Sequence, residues 1–185
     1  MTGSKLICGI DEAGRGPLAG PVAAAAVILP ARFSDSLLAD SKKLSAKKRE
    51  IASQAIMNNA IDWSLGWAWP EEIDKINIHK ASLLAMQRAF YGIKTKVSCV
   101  FVDGLFSPNL PVQTTAVVKG DSKIREIMAA SILAKVIRDR WMERYSWIER
   151  DYGFERHKGY PTKEHRSICL SKGLSPIHRR SFHIG

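Results

Sequence analysis

The sequence predicts an α/β domain, on three observations. Short apolar runs at residues 6–10, 97–102 and 114–118 are bounded by glycine or polar residues, and the last two are rich in β-branched side chains, so all three read as strands. Long helical periodicity accompanies them, most clearly in Ile124, Ile127, Met128, Ile132, Leu133, Val136, Ile137 and Trp141. Each run is followed by acid, Asp11-Glu12, Asp103 and Asp121 in turn, and in open α/β sheets functional groups collect in the crevice outside the strand ends.

Taken in order, residues 6–10 form a buried strand that runs directly into two acids. Neighbours on an extended chain point to opposite faces, so Asp11 and Glu12 are expected to meet through a turn, for which Gly14 and Gly16 supply the backbone freedom. Residues 22–29 are rich in Ala and Val, ambiguous by periodicity, and best explained as the return strand of a hairpin. Ser45 can cap a helix reaching about Ala60, with Ile51, Ala55 and Ile56 inward. The cations before and at its start, Lys42, Lys43, Lys47, Lys48 and Arg49, oppose the helix dipole and read either as a solvated face or as phosphate contacts.

Trp63, Leu65, Trp67 and Trp69 alternate over residues 62–69, a strand with one aromatic face. Packing under a helix is preferred there to a base-stacking platform. Pro70 suits the first turn of a helix, Glu71 and Glu72 favour its positive end, and a second helical stretch covers about 78–91 through Leu83, Leu84, Met86 and Phe90. His79 is assigned a structural role in it. From Asp121 the helical pattern persists for roughly six turns, with Asp121 at or just before the N-terminus and Ala129, Ala130, Ser131 and Ala134 small enough to let the helix lie close to what it covers. Residues 152–162 and 176–182 mix cations, aromatics and glycine, the form of a nucleic-acid contact surface, and Thr162 caps a short helix ending near Gly173. Residues 1–150 are therefore expected to form the catalytic domain, and 151–185 a substrate-contacting segment packed on it.

Composition agrees with a polyanion partner. The 185 residues carry a net charge of +10, and 45% are hydrophobic, ample for one packed core. No apolar run approaches the ~20 residues of a membrane helix and the N-terminus lacks a secretory signal, so a cytoplasmic protein without membrane contact is expected. Cys8, Cys99 and Cys169 are odd in number, widely spaced and set in apolar or helical surroundings, which reads as reduced core thiols. If the three acid-ending strands are neighbours, Asp11, Glu12, Asp103 and Asp121 converge, and carboxylates that close cannot all stay ionised without a cation. An all-oxygen set suits Mg²⁺ or Mn²⁺.

Six segments taken together resemble bacterial ribonuclease HII over almost the whole chain. They are Gly9-Ile10-Asp11-Glu12-Ala13-Gly14-Arg15-Gly16-Pro17-Leu18, Asp40-Ser41-Lys42-Lys43-Leu44-Ser45, Asp103-Gly104, Gly120-Asp121-Ser122 with Ala129-Ala130-Ser131-Ile132-Leu133-Ala134-Lys135, His157-Lys158-Gly159-Tyr160-Pro161-Thr162, and His178-Arg179-Arg180-Ser181-Phe182. The resemblance implies an RNase H-like fold, a central mixed five-stranded sheet flanked by helices with a C-terminal helical segment. It implies two divalent ions on Asp11, Glu12, Asp103 and Asp121, and hydrolysis of the RNA strand of RNA–DNA hybrids or at a single ribonucleotide in duplex DNA. The implied reader of the ribose 2′-hydroxyl is the turn Gly14-Arg15-Gly16. Tyr160 matches a tyrosine that packs on the adjacent deoxyribose, and Arg15, Lys42, Lys43, Lys158 and Arg180 are implied phosphate contacts. The chain ends three residues after Phe182, where many members of that family continue into a longer tail, so docking to a replication clamp through such a tail is not carried over. A monomer is expected. Two other readings stay open on the residues alone: a resolvase-like DNA nuclease of the same fold class, and a nucleic-acid-binding protein without catalysis.

Overall fold

The computed structural model describes residues 6–38 and 45–184. Five strands form one sheet: β1 (Ile7–Ala13), β2 (Val22–Ile28), β3 (Asp62–Ala68), β4 (Cys99–Asp103) and β5 (Thr114–Val117), in the order β3-β2-β1-β4-β5. β2 returns antiparallel along β1, as the hairpin reading requires, and β3 is antiparallel to β2. β4 and β5 run parallel to β1, so the three strands that lead into the acids are indeed adjacent. Every residue of β2 is buried, which is why its Ala/Val run shows no alternation.

Helices cover both faces. α1 (Ala46–Asn59) and α3 (Arg125–Tyr145) bury one face with Ala25, Val27, Ile56, Ala129 and Leu133, while α2 (Pro70–Gly92) buries the other with Cys8, Ile10, Ala24, Ile73 and Ala85. α3 lies almost in contact with β1. A Cβ at Gly9 would sit 2.2 Å from the Glu126 carbonyl carbon and 2.4 Å from the Ile127 nitrogen, so only glycine is tolerated beneath the first turn of α3. No helix of the described residues is long and apolar enough to cross a membrane. Cys8, Cys99 and Cys169 are free thiols, and burial pushes the Cys8 thiol up to about 12.

Several local expectations need correction. Ser45 caps α1 by accepting from the Lys48 N–H (3.3 Å), but the inward stripe is Ala52, Ser53 and Ile56, and Ile51 is 55% exposed. Ile51 lies about 100° from Ala52 around the helix and turns past the edge of the contact. α2 breaks where the sequence separates its two helical stretches, at Asn77 (φ 68°, ψ 164°), whose Oδ1 receives the Lys80 N–H at 3.1 Å. α3 begins at Arg125, later than expected, because Gly120–Ser122 forms a separate 3₁₀ turn and Ile124 is extended; Asp121 is in that turn and is not the helix cap. The aromatic face of β3 is packed, Trp63 and Leu65 against the α1/α3 core and Trp67 beside Trp69 and Trp141.

The C-terminal segment, with α4 (Phe154–His157) and α5 (Lys163–Lys172), is tied to the loop after β1. Leu18 N–H donates to Gly159 O, Gly20 N–H to Ile177 O and Arg179 N–H to Leu18 O, each at 2.8 Å. Beneath it three histidines stack and hydrogen-bond. His165 Nδ1–H donates to Tyr160 O (2.9 Å), which leaves its Nε2 to accept from His178 Nε2–H (3.0 Å), while His178 Nδ1 accepts the Ser175 N–H (2.9 Å). His157 stacks on His165 with centroids 4.2 Å apart. The Cys169 thiol completes a group of possible metal ligands, but a single proton between the imidazoles already satisfies both facing nitrogens.

Burial and the neighbouring His165 hold His178 down at about 4 from its ordinary 6.5. The unfolded chain therefore takes up a proton in that window while the fold resists it, so stability is lost as pH falls from 6.5 towards 4, by about 3 kcal/mol for this group alone. Urea midpoints measured across the window are expected to fall steeply in the parent and less steeply in His178→Gln. Equal slopes would assign the acid sensitivity elsewhere.

Candidate active site

The four acids come from two adjacent strands, β1 (Asp11, Glu12) and β4 (Asp103), and from the 3₁₀ turn that follows β5 (Asp121). Asp11 is a strand residue paired with Ala25 and is buried; the Glu12 N–H donates to its Oδ1 at 2.7 Å and Ser131 of α3 hydrogen-bonds its carboxylate. Burial, then the charges of Glu12 and Asp103, push Asp11 well above the usual carboxylate range. Asp103 ends β4 and accepts the Asp121 N–H on Oδ1 at 3.3 Å, and Asp121 is buried in its 3₁₀ turn. Glu12 receives Arg15 Nη1 on Oε1 at 3.2 Å, while its buried Oε2 has no hydrogen-bond partner among the described residues.

The turn expected between Asp11 and Glu12 is absent. β1 stays paired to β2 through Ala13, so the two acids point to opposite faces, Asp11 towards α3 and Glu12 towards α2. They can still act together because β4 stops at Asp103, level with Asp11, and leaves the end of the sheet open on both faces. A set of four carboxylates, one buried oxygen unsatisfied and one acid strongly disfavoured as an anion, is a site that gains by taking a hard divalent cation. The residues present thus fit Mg²⁺ or Mn²⁺ held by oxygen atoms alone.

Beside the acids the loop from Gly14 to Pro21 is held from within by two buried arginines. Arg179 donates Nε to Gly20 O (2.9 Å), Nη1 to Arg15 O (2.9 Å) and Nη2 to Gly14 O (2.5 Å). Arg138 donates Nε to Pro21 O (2.8 Å), Nη2 to Ala19 O (3.2 Å) and Nη1 to Lys158 O (3.1 Å). Gly14 has φ 97°, and a Cβ there would lie 2.0 Å from Arg138 Nε, so backbone conformation and packing both demand glycine. With these carbonyls bound inward, Arg15 and Gly16 form the exposed rim of a cavity of about 430 Å³ whose lining includes Glu12, Arg49, Ser131, Lys135 and Tyr160. Lys135 Nζ is 5.2 Å from the centre of the Tyr160 ring.

The structure therefore gathers Asp11, Glu12, Asp103, Asp121, Gly14, Arg15, Gly16 and Tyr160 around one open sheet end. It does not gather all the cations. Lys158 Nζ is bound by Glu143 Oε1 at 2.9 Å, and Arg180 is exposed on the side where its N–H meets Asp74 of α2. Lys42 and Lys43 lie outside the described residues. Arg138, Arg179, Ser131 and Lys135 were missed as site residues. Arg138 had a signal, since it falls four residues after Ala134 and four before Met142, on the buried stripe of α3 where a cation needs a specific partner.

The sequence matches the family of ribonuclease HII proteins over residues 8–184. It is 51% identical to the ribonuclease HII of Treponema denticola over 195 residues, 97% of this chain and 98% of that one. It is 52% identical to that of Dechloromonas aromatica over 177 residues, 96% and 90% of the two chains. Among solved structures, ribonuclease H2 of Pyrococcus horikoshii superposes with a TM-score of 0.81 at 25% identity, over 97% of this chain and 94% of that one. Bst-RNase HIII in complex with Mn²⁺ shares the fold, with a TM-score of 0.78 at 16% identity, over 98% of this chain and 68% of that one.

Proposed function

The chain belongs to the ribonuclease HII family and is a metal-dependent endoribonuclease of RNA–DNA hybrids; from that premise we propose that it also nicks duplex DNA on the 5′ side of a single embedded ribonucleotide, using Mg²⁺ or Mn²⁺ held by Asp11, Glu12, Asp103 and Asp121. The observation that carries the reading is the arrangement of these acids at one sheet end, beside an internally clamped glycine turn and Tyr160. Two ions bound there would activate water and stabilise the leaving 3′-oxygen, leaving 3′-hydroxyl and 5′-phosphate ends.

The chain's own residues do the rest. Asp11, Glu12 and Asp103 are fixed by strand pairing and Asp121 is tied to Asp103 through its N–H, so the ligand set needs little rearrangement. Because the carbonyls of Gly14 and Arg15 are bound by Arg179, the other side of that turn is left to meet the ribose 2′-hydroxyl and the scissile phosphate. Tyr160, over which Lys135 places a cation, is the surface for the deoxyribose on the 3′ side. Arg15, Lys135 and Arg49 border the same cavity and supply sequence-independent attraction for phosphates, with Tyr160 the contribution of the segment from 151 onward to its lining. No side chain has to act as a nucleophile.

The test is cleavage of a DNA duplex carrying one ribonucleotide, an all-DNA duplex and a full hybrid, in Mg²⁺, Mn²⁺ or EDTA. Metal-dependent nicking 5′ of the ribonucleotide with the all-DNA duplex intact supports the proposal; cutting of the hybrid alone removes its junction-specific part. Tyr160→Ala is expected to lower kcat/KM on the lone ribonucleotide by about tenfold, the scale of one lost aromatic packing contact, and by less on the continuous hybrid. Equal losses on the two substrates would remove Tyr160 from junction reading.

A further inference from the structure

The acids are bordered by a second cavity on the flank away from Tyr160. Its volume is about 220 Å³ and its lining includes Glu12, Arg15, Asp103, His79, Leu105 and Phe106. Glu12 and Arg15 line both this cavity and the Tyr160 cavity, so the two adjoin at these side chains, and a strand lying over the acids from Tyr160 would run on towards this one. Leu105 and Phe106 follow directly on Asp103-Gly104 and are 74% and 59% exposed, two adjacent large apolar side chains in water at the mouth of an otherwise charged site. The Phe106 ring is braced by His79, with centroids 4.8 Å apart and planes at 77°. It is therefore a positioned surface, where a lone exposed side chain would be free to swing.

We infer that Leu105 and Phe106 form a shelf for the sugar on the side of the scissile phosphate away from Tyr160, and that the shelf favours a deoxyribose there. In a duplex the bases are paired and stacked, so an aromatic ring outside the helix meets sugar edges and not base faces. A deoxyribose offers a C2′ methylene to the phenyl ring. A ribose would have to bring its 2′-hydroxyl out of water against carbon, and an unpaired polar group costs about tenfold or more in affinity. At the shelf itself the surface offered is hydrocarbon, Leu105 and the Phe106 ring, and Ser82 Oγ behind it already donates to Ile78 O at 2.9 Å. This inference rests on the proposed placement of Tyr160 on the 3′ sugar, which puts the shelf on the 5′ side. The favoured substrate is then an isolated ribonucleotide with DNA on both sides, over the last ribonucleotide of an RNA tract.

The experiment uses four duplexes cut at the same ribonucleotide, in which the sugar on its 5′ side and the sugar on its 3′ side are independently ribose or deoxyribose. The parent is expected to prefer a 5′ deoxyribose by about tenfold in kcat/KM, and Phe106→Ser to reduce that ratio to about two or less without altering the response to the 3′ sugar. Tyr160→Ala is expected to change only the response to the 3′ sugar. An unmoved 5′ ratio in Phe106→Ser, or a parent indifferent to the 5′ sugar, overturns the shelf while the Tyr160 reading stands. A Phe106 variant that alters the 3′ response instead reverses the assumed strand polarity and overturns both. Because Phe106 is exposed, an unchanged melting temperature checks that the variant is folded.

Discussion

Asp11→Asn is expected to abolish cleavage while leaving hybrid binding within a few-fold of the parent. A bound divalent ion is worth several kcal/mol of charge stabilisation in the transition state, so removing a central ligand should lower kcat by about 10³-fold or more. Binding should survive because the cations proposed to meet the phosphates, Arg15, Arg49 and Lys135, are untouched. The same substitution should stabilise the metal-free protein. Asp11 is buried beside Glu12 and Asp103 and strongly disfavoured as an anion, and asparagine keeps its shape while removing one like charge. A gain of about 1 kcal/mol, roughly 3 °C in Tm, is the expected size. Mg²⁺ should then raise the Tm of the parent and not of the variant. The measurements are single-turnover cleavage, hybrid binding in EDTA, and thermal melting with and without Mg²⁺. Parallel loss of binding and cleavage, or a variant less stable than the metal-free parent, would contradict the account.

What the sequence made legible follows from where its signals are local. Acid after a short β-branched run is a local pattern, and adjacency of β1, β4 and β5 then converts three such patterns into one site. The break between the two halves of α2 could be read because Pro70 and the apolar period around Leu83 and Met86 mark separate helices. Long-range facts were not legible in the same way. Whether Asp11 and Glu12 turn towards each other or straddle the sheet depends on where the neighbouring strand stops, and nothing in residues 9–17 encodes the end of β4. Ile51 was placed inward because hydropathy alone does not say which side of α1 meets α3. The role of Arg179 was not legible for a similar reason: two adjacent arginines near the end of a basic chain look alike until the fold buries one and leaves the other in water.

Arg179 carries the second large expected effect. Its guanidinium is fully enclosed, with carbonyls as its hydrogen-bond partners, and burial together with the Arg138 charge lowers it to about 9, still protonated at neutral pH. Two like charges are kept in the interior here, which is costly unless their donors do something a hydrophobic side chain cannot. What they do is bind the inward carbonyls of Gly14, Arg15, Ala19, Gly20 and Pro21, leaving free the outer side of the turn, the side proposed to meet the substrate. Arg179→Ala leaves three of those carbonyls unpaired and is expected to cost roughly 3–5 kcal/mol, a fall of about 10 °C or more in Tm. Arg179→Lys keeps the charge but cannot reproduce a fork that spans three acceptors. Assayed well below its Tm, it should lose about 10²-fold in kcat/KM on a lone ribonucleotide, the scale of a misplaced binding group. Its discrimination against an all-DNA duplex should fall with it, because the turn proposed to meet the 2′-hydroxyl is no longer fixed. Arg180→Ala, on the exposed neighbour, should change neither stability nor discrimination by more than a few-fold. If Arg179→Lys is merely less stable and cuts with full discrimination at low temperature, Arg179 supports the fold and does not position the turn.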